Sequence, residues 1–176
     1  VIANHSPATS KIVMKYVEQW HNVNINALIY NPVPVVDVLF PRQGTVYFGS
    51  YRKNRKKYFE KYFDSIVVST HQKNHKKFRS LGVSPIFVPR INWKNGGLFA
   101  FENSLYIEDE ATHTNYNYLS NRFYEALNYN CVSLFDRSCQ NTINQCGYEI
   151  GNDLIIDSPD DIGVGYEIPE SWYDQA

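Results

Sequence analysis

The sequence predicts an α/β fold built on a doubly wound parallel sheet, Rossmann-like, with about six strands and helices on both faces. Short apolar segments alternate with helical patterns from residue 45 onward, and this alternation is typical of βαβ units. The apolar segments are nearly continuous, as expected for strands that are covered on both faces. A chain of 176 residues accommodates one such domain and a short additional segment.

Two elements are predicted before the sheet. Apolar residues at helical spacing predict a helix over residues 8–19, and the pattern of residues 24–30 favours a short strand. Pro32 and Pro34 end that strand, because proline has no N–H to donate to a ladder.

The regular part of the chain follows. Six strands are predicted at residues 45–50, 65–69, 85–89, 104–109, 131–135 and 153–157. Helices are predicted at residues 53–63, 72–81, 120–128 and 140–145. Gly82 stands where a helix C-terminus favours glycine, and Ser158 followed by Pro159 predicts an N-cap and a first helical turn. Right-handed crossovers in a doubly wound sheet predict the strand order 3-2-1-4-5-6.

Composition excludes several classes of protein. Hydrophobic residues make up 43% of the chain, which argues against disorder, and no apolar run is long enough for a membrane-spanning helix. The three cysteines have no CxxC spacing, which favours a reducing compartment and a cytoplasmic location over a disulfide scaffold. The five histidines do not stand at ligand spacing from cysteines or carboxylates, so no metal is expected.

The net charge of −1 conceals an asymmetry between the two halves. Residues 1–88 hold thirteen Lys/Arg and four Asp/Glu, whereas residues 89–176 hold four Lys/Arg and fourteen Asp/Glu. A site for an anionic ligand in the first half is one explanation, and two solvated faces of opposite charge are the other.

The sheet topology directs attention to two chain segments. Ligands of doubly wound sheets bind beyond the carboxyl ends of the strands, where the strand order reverses. In the predicted order that point lies between the first and fourth strands. The first strand is followed by Gly49, Ser50 and Arg52, and the fourth is followed by residues 108–113.

The segment after the first strand is a candidate phosphate-binding turn. Gly49 allows a ligand to approach the backbone closely, and the next helix presents unpaired N–H groups. Arg52 can bind a phosphate with its planar guanidinium, and Lys53 or Arg55 can add charge. A basic solvated helix after an ordinary turn is the alternative.

The helix predicted at residues 120–128 carries a second candidate site. Ser120 and Asn121 are both good N-caps. Arg122 lies in the first turn, where a cation opposes the helix dipole, so we expect it to face an anion. Glu125 is positioned to accept hydrogen bonds from a ribose. In the alternative interpretation, Arg122 and Glu125 pair with each other at i and i+3.

The segment after the fourth strand forms a third constellation. Glu108, Asp109, Glu110 and His113 stand next to the predicted crevice, where they are suited to acid–base chemistry or to contacts with sugar hydroxyls. A solvated acidic loop is the alternative.

Together, the segments 104–109, 121–127 and 132–136 resemble the donor-binding half of a GT-B glycosyltransferase. In that family a strand leads through a loop to a helix with a Glu-Ala pair, then to a further strand, and here the pair is Glu125 and Ala126. The resemblance implies that Glu125 binds the ribose of a nucleotide sugar. Many retaining members have an acidic residue eight positions earlier, where this chain has Asn117, and Asp109 or Glu110 is expected to replace it.

The resemblance also implies a division of the chain and a set of site residues. Residues 1–43 are expected to be the end of a preceding acceptor domain with a crossover segment, and residues 44–176 the Rossmann-like nucleotide-sugar-binding domain. The expected catalytic residues are Asp109, Glu110 and His113. The expected donor-binding residues are Gly49, Ser50, Arg52, Lys53, Ser120, Asn121, Arg122 and Glu125.

The implied activity is transfer of a sugar from a nucleoside diphosphate to an unknown acceptor, with no cofactor besides this co-substrate. One alternative is a nucleic-acid-binding module that uses the basic helices 52–63 and 72–81. Another is an inactive relative of the same fold that serves as an interaction domain.

Overall fold

The protein forms a six-stranded sheet in which every pair of neighbouring strands is parallel. A computed structural model describes residues 42–91, 97–109 and 119–174. The predicted helix 8–19, the predicted strand 24–30 and nearly all of the proposed segment 1–43 lie outside these ranges. The strands are β1 (Thr45–Phe48), β2 (Val67–Ser69), β3 (Ile86–Val88), β4 (Asn103–Tyr106), β5 (Val132–Asp136) and β6 (Ile155–Ile156).

The strand order is β3-β2-β1-β4-β5-β6, which confirms the predicted order and the predicted fold class. The chain moves outward from β1 in one direction and, after β3, returns to the other side of β1 to continue outward. In register, Val46 lies beside Val67 of β2 and beside Ser104 of β4. The strand order therefore reverses between β1 and β4.

Helices follow the strands as expected. They are α1 (Lys56–Tyr62), α2 (His75–Arg79), α3 (Asn121–Asn128), α4 (Gln140–Gln145) and α5 (Glu170–Asp174). Both α1 and α2 are preceded by 3₁₀ turns, at Lys53–Arg55 and Gln72–Asn74. Arg52, the residue that caps the first of these turns, makes no side-chain hydrogen bond to it. In a 3₁₀ turn, backbone N–H groups donate to carbonyl groups three residues earlier. These amide groups therefore do not need a polar N-cap side chain.

Both faces of the sheet are covered. Val46 and Phe48 of β1 pack in one apolar cluster and the intervening Tyr47 packs in the other, as alternation along a strand requires. The Phe78 ring of α2 contacts the rings of Phe59 in α1 and of Phe63, the C-cap of α1, each with a ring-centroid distance of 5.0 Å. The basic helices therefore bury their aromatic residues in the core.

Two predicted helix ends have the expected geometry. Gly82 adopts a φ of +84° after α2, the left-handed conformation that favours glycine. The Asp161 carboxylate accepts a hydrogen bond of 2.8 Å from the backbone N–H of Ser158, and Pro159–Asp161 form one 3₁₀ turn. Within the described residues, no helix has the length and apolar character needed to cross a membrane.

Candidate functional site

The exits of β1 and β4 lie next to each other at the carboxyl edge of the sheet, where the strand order reverses. Gly49 follows β1, and Glu108 stands two residues after β4. Helix α3 begins at Asn121, with Ser120 as its N-cap. The structure thereby brings together residues that are separated by more than seventy positions in the chain.

Glu108 organises this crevice. Its side chain is buried, with 4% of the residue exposed, and it accepts hydrogen bonds from Arg55 and Arg122, one on each carboxylate oxygen. Arg122 Nη2 also donates to the Ile107 carbonyl at 2.7 Å. One carboxylate thus fixes two guanidinium groups at the point where ligands bind in sheets of this kind.

Arg122 was expected to face an anion, and that anion is Glu108. Burial lowers the pKa of the Arg122 guanidinium, but the Glu108 carboxylate, together with smaller contributions from Tyr47 and Tyr106, raises it above its ordinary value. The alternative pairing with Glu125 is not the arrangement found. Arg122 therefore tolerates its position in the first turn of α3 because a buried carboxylate compensates its charge.

Gly49 lies against Tyr47 and Arg122. An ideal Cβ at Gly49 would stand 2.9 Å from Tyr47 Oη and 3.4 Å from Arg122 Nη1. The Gly49 backbone N–H donates to the Ser69 carbonyl at 3.0 Å. Glycine at this position allows the Tyr47 ring and the Arg122 guanidinium, 5.5 Å apart, to reach the crevice.

The predicted phosphate turn has two exposed cations at its end. Arg52 and Lys53 are exposed where the 3₁₀ turn before α1 begins, whereas Arg55 is partly buried against Glu108. The Ser50 carbonyl accepts a hydrogen bond of 3.3 Å from Tyr47 Oη. Of the basic residues in this segment, Arg55 is the one that reaches into the crevice.

The N-terminus of α3 faces the same edge. The Ser120 backbone N–H donates to Tyr106 Oη at 2.9 Å, and Tyr106 is buried. Ser120 Oγ is buried and has no hydrogen-bond partner within the described part of the chain. Asn121 is the first residue of α3, which agrees with the predicted start to within one residue.

Glu125 is half-buried one turn further along α3. Burial raises the pKa of its carboxyl group, and the positive charges of Arg122 and Arg90 partly oppose this. Arg90 follows β3 and Arg122 lies on α3, so Glu125 experiences one cation from a strand exit and one from its own helix.

The expected catalytic residues are only partly described. Asp109 Oδ2 lies 3.9 Å from Arg55 Nη2 at the edge of the Glu108 cluster. Glu110 and His113 lie outside the described residues, so their predicted acid–base roles remain predictions.

A second polar cluster at the end of β5 was missed by the sequence analysis. Asp136 accepts a hydrogen bond from Lys61 Nζ at 2.7 Å and one from the Tyr62 hydroxyl. It also accepts from the Ser138 backbone N–H at 2.9 Å. The only signal in the sequence was an acidic residue at the end of an apolar strand.

A cavity of about 460 Å³ opens beyond β2 and β3. Its walls include Thr70, His71, His75 and Arg90, and the His75 ring stacks on Phe87 with centroids 4.0 Å apart. No single motif marks this cavity, because its walls come from two strand exits and one helix.

Neither metal nor thiolate chemistry has support in this region. No group of His, Cys, Asp or Glu suited to hold a metal occurs among residues 42–91, 97–109 and 119–174. The three cysteines form no disulfide and are buried, and burial raises the pKa of the Cys131 and Cys139 thiols to about 12.

Comparisons with known proteins add no identification. No protein-family model, curated protein or solved structure matches the chain. Inferences about function therefore depend on the fold and on the geometry of this crevice.

Proposed function

We propose that the chain carries the nucleotide-sugar-binding domain of a glycosyltransferase. The observation that supports this best is the position of the Arg55 and Arg122 guanidinium groups. Both are fixed by Glu108 at the reversal point between β1 and β4, where doubly wound sheets bind phosphorylated ligands.

The charges of the crevice suit a diphosphate. Glu108 occupies a single N–H group on each of the two arginines, and a guanidinium has five N–H donors in total. Arg52 and Lys53 add exposed positive charge at the entrance. A diphosphate bound here meets more cations than anions, and the arginines are already oriented for it.

The same groups stabilise the leaving group during transfer. The bond between the anomeric carbon and a diphosphate oxygen breaks, a bond to the acceptor oxygen forms, and the acceptor proton passes to a base. Negative charge grows on the diphosphate in this step, and fixed guanidinium groups lower its energy. Asp109, Glu110 and His113 are the proposed candidates for the base.

Glu125 is proposed to hold the ribose. It stands on α3, one turn after Arg122, and its half-buried carboxylate accepts hydrogen bonds from two adjacent hydroxyl groups. Binding the ribose at Glu125 and the diphosphate at Arg122 directs the nucleotide along the N-terminal part of α3.

Isothermal titration calorimetry with UDP, GDP, ADP and TDP tests the proposal. We expect at least one of them to bind with micromolar affinity, and Arg52→Gln to weaken that binding. Arg137→Gln is the matched control, because Arg137 is exposed and pairs with Asp157 away from the crevice. If none of the four nucleotides binds to the folded protein, the proposal is wrong.

A second candidate function also has support. Glu108 pairs with both arginines within the chain itself, as expected if the cluster stabilises an inactive relative of the fold that acts as an interaction domain. In that case Arg122→Gln lowers the free energy of unfolding, and no nucleotide binds to the parent protein or to the Arg122→Gln variant.

A further inference from the structure

The two helices that follow β1 and β2 carry an unusual concentration of positive charge. Residues 49–81 hold ten Lys/Arg and two Asp/Glu. Their aromatic residues are buried: Phe59, Tyr62, Phe63 and Phe78 are each 0% exposed. The basic side chains therefore lie on the outer side of the helices.

The two helices pack side by side, so their exposed sides form one surface. Phe59 of α1 and its C-cap Phe63 contact Phe78 of α2, and the ring of Tyr51, which precedes α1, meets the Phe78 ring edge to face at a centroid distance of 5.3 Å. Lys77 Nζ of α2 lies 5.8 Å from the centre of the Tyr51 ring. We call the exposed cations of this face the basic surface. It consists of Arg52, Lys53, Lys57, Lys73, Lys76 and Lys77.

The basic surface has little negative charge to compensate it. Glu60 pairs with Lys56 at 3.2 Å, and the Asp64 carboxylate accepts from the Ser84 backbone N–H at 2.7 Å. Lys61 is excluded from the surface because it pairs with Asp136. The six members named above have no described acidic partner within ion-pair distance.

We infer that the basic surface binds the phosphate backbone of a nucleic acid. Lys57 lies on α1, and Lys76 and Lys77 lie on α2. Arg52, Lys53 and Lys73 lie at the turns that lead into these helices, and the axes of two packed helices are about 8–10 Å apart. A nucleic acid offers a regular row of phosphates with which several cations interact at once. An isolated small anion engages only one or two of them.

Two other partners fit less well. A membrane surface is bound by helices that also present apolar side chains, whereas the large exposed hydrophobic residues of the described chain are Ile86 and Val164, neither of them on α1 or α2. A second copy of the chain offers exposed carboxylates such as Asp153, Asp160 and Glu167, but its net charge of −1 attracts the basic surface less than the charge on every phosphate of a nucleic acid. The nucleic acid is therefore the favoured partner.

The basic surface adjoins the proposed donor crevice. Arg52 and Lys53 directly follow the β1 exit, and Arg55 of the same turn reaches Glu108. A nucleic acid bound here would be placed as the sugar acceptor, and this role rests on the proposed function. The binding of the nucleic acid does not depend on that function.

Fluorescence anisotropy with labelled single-stranded and duplex 20-mers tests the inference. Six contacts predict that log K falls with log salt with a slope of roughly −4 for a single strand. This corresponds to a loss of affinity of about 10²–10³-fold between 50 and 200 mM salt. We expect a variant with Lys53→Gln, Lys57→Gln and Lys77→Gln to bind at least tenfold more weakly, with a slope reduced by about 2.

Two controls separate charge from other effects. The variant with Lys53→Arg, Lys57→Arg and Lys77→Arg keeps the charge and should bind as the parent does. Arg137→Gln removes one charge elsewhere and should leave binding unchanged, whereas Lys57→Gln should weaken it about two- to threefold.

The inference is wrong if neither oligonucleotide binds, or if the protein binds phosphatidylserine vesicles but no oligonucleotide. It is also wrong if Arg137→Gln weakens oligonucleotide binding as much as Lys57→Gln does. A charge-dependent self-association in sedimentation would assign the surface to a second copy instead. Calorimetry of the parent and of Lys57→Gln with nucleoside diphosphates keeps the two proposals apart, because Lys57 lies outside the proposed donor site. Oligonucleotide binding without nucleotide binding contradicts only the proposed function.

Discussion

The buried carboxylate of Glu108 accepts a hydrogen bond from Arg122, although one residue follows β4 and the other lies on α3. The same carboxylate binds Arg55 through its other oxygen. This arrangement links β4, α3 and the turn before α1 at the edge of the sheet where the strand order reverses. The organisation of the crevice therefore depends on one acidic side chain.

Replacing Glu108 should destabilise the fold strongly. Glu108→Gln keeps the shape of the side chain but removes the carboxylate that pairs with two mostly buried guanidinium groups, and Arg55 retains only Asp109 at 3.9 Å. Removal of one partner from such a buried network costs about 3–5 kcal/mol. Urea unfolding followed by circular dichroism measures the loss.

The matched control for this variant is Asp157→Asn. Asp157 pairs with Arg137 at 2.8 Å, but both side chains are more than half exposed, so the free energy of unfolding should change little. Equal losses in the two variants would show that Glu108 has no special role in organising the crevice.

Gly49→Ala should strain the crevice because of Tyr47. The new Cβ would stand 2.9 Å from Tyr47 Oη, and the Tyr47 ring is fully buried, so it cannot swing aside. Overpacking of this kind costs roughly 1–3 kcal/mol. Thermal unfolding of Gly49→Ala, Tyr47→Phe and the double variant forms a cycle. The glycine substitution should cost less in the Tyr47→Phe background, and strictly additive losses would contradict this explanation.

Asp136 should make stability depend on pH in the acid range. Burial alone would raise the pKa of this carboxyl group, but hydrogen bonds from Lys61, Ser138 and Tyr62 outweigh it and lower the pKa. Because the pKa of Asp136 is lower in the folded than in the unfolded chain, its ionised carboxylate stabilises the fold at pH values above the unfolded pKa of about 3.9. This stabilisation is lost as the pH falls through the folded-state pKa.

The Asp136→Asn variant tests this dependence. It should unfold more easily than the parent at pH 7, by about 1–3 kcal/mol, and the difference should shrink below about pH 4. Asp160→Asn, at an exposed position, is the control and should follow the parent at every pH. A difference for Asp136→Asn that stays constant between pH 7 and pH 3 would exclude the ionic origin.

The sheet was predictable because strand and helix patterns are local. The apolar runs around Val46, Val68 and Leu134 have the length and composition of buried strands, and the doubly wound topology limits the possible orders. The Glu108 cluster was less predictable. Arg55, Glu108 and Arg122 were each noticed, but their pairing depends on three elements that meet only in the folded chain. The sequence predicted that Arg122 faces a ligand anion, with a local pair between Arg122 and Glu125 as the alternative.

The end of α2 shows a local feature that the sequence did reveal. Gly82 has a φ of +84°, and its backbone N–H donates to the Arg79 carbonyl at 3.1 Å. Gly82→Ala should lower the free energy of unfolding by about 1 kcal/mol, because a Cβ is strained in this conformation. Gly82→Asn should lose less, since asparagine tolerates the left-handed region. Chemical denaturation of both variants measures the difference, and an equal or larger loss with asparagine would contradict the conformational explanation.

Glu125 offers the sharpest test of the proposed nucleotide orientation. If its carboxylate accepts from the ribose hydroxyls, the parent should bind a nucleoside diphosphate more tightly than the 2′,3′-dideoxy form of the same nucleotide. A hydrogen bond to a charged group contributes about 1.5–3 kcal/mol, roughly 10- to 150-fold in affinity. Glu125→Ala should bind both nucleotides equally. Calorimetry of the parent and of Glu125→Ala with each of the two nucleotides measures the coupling energy between Glu125 and the ribose hydroxyls.

The pH dependence of this coupling provides an independent check. Burial raises the pKa of the Glu125 carboxyl group despite the opposing charges of Arg122 and Arg90. The ionised carboxylate is the better hydrogen-bond acceptor, so the preference for the ribose nucleotide over its dideoxy form should be greatest at neutral pH. It should decline on acidification at a higher pH than for an ordinary glutamate. A preference that persists unchanged in Glu125→Ala would assign ribose binding to another residue, and Glu125 would then be a structural member of α3.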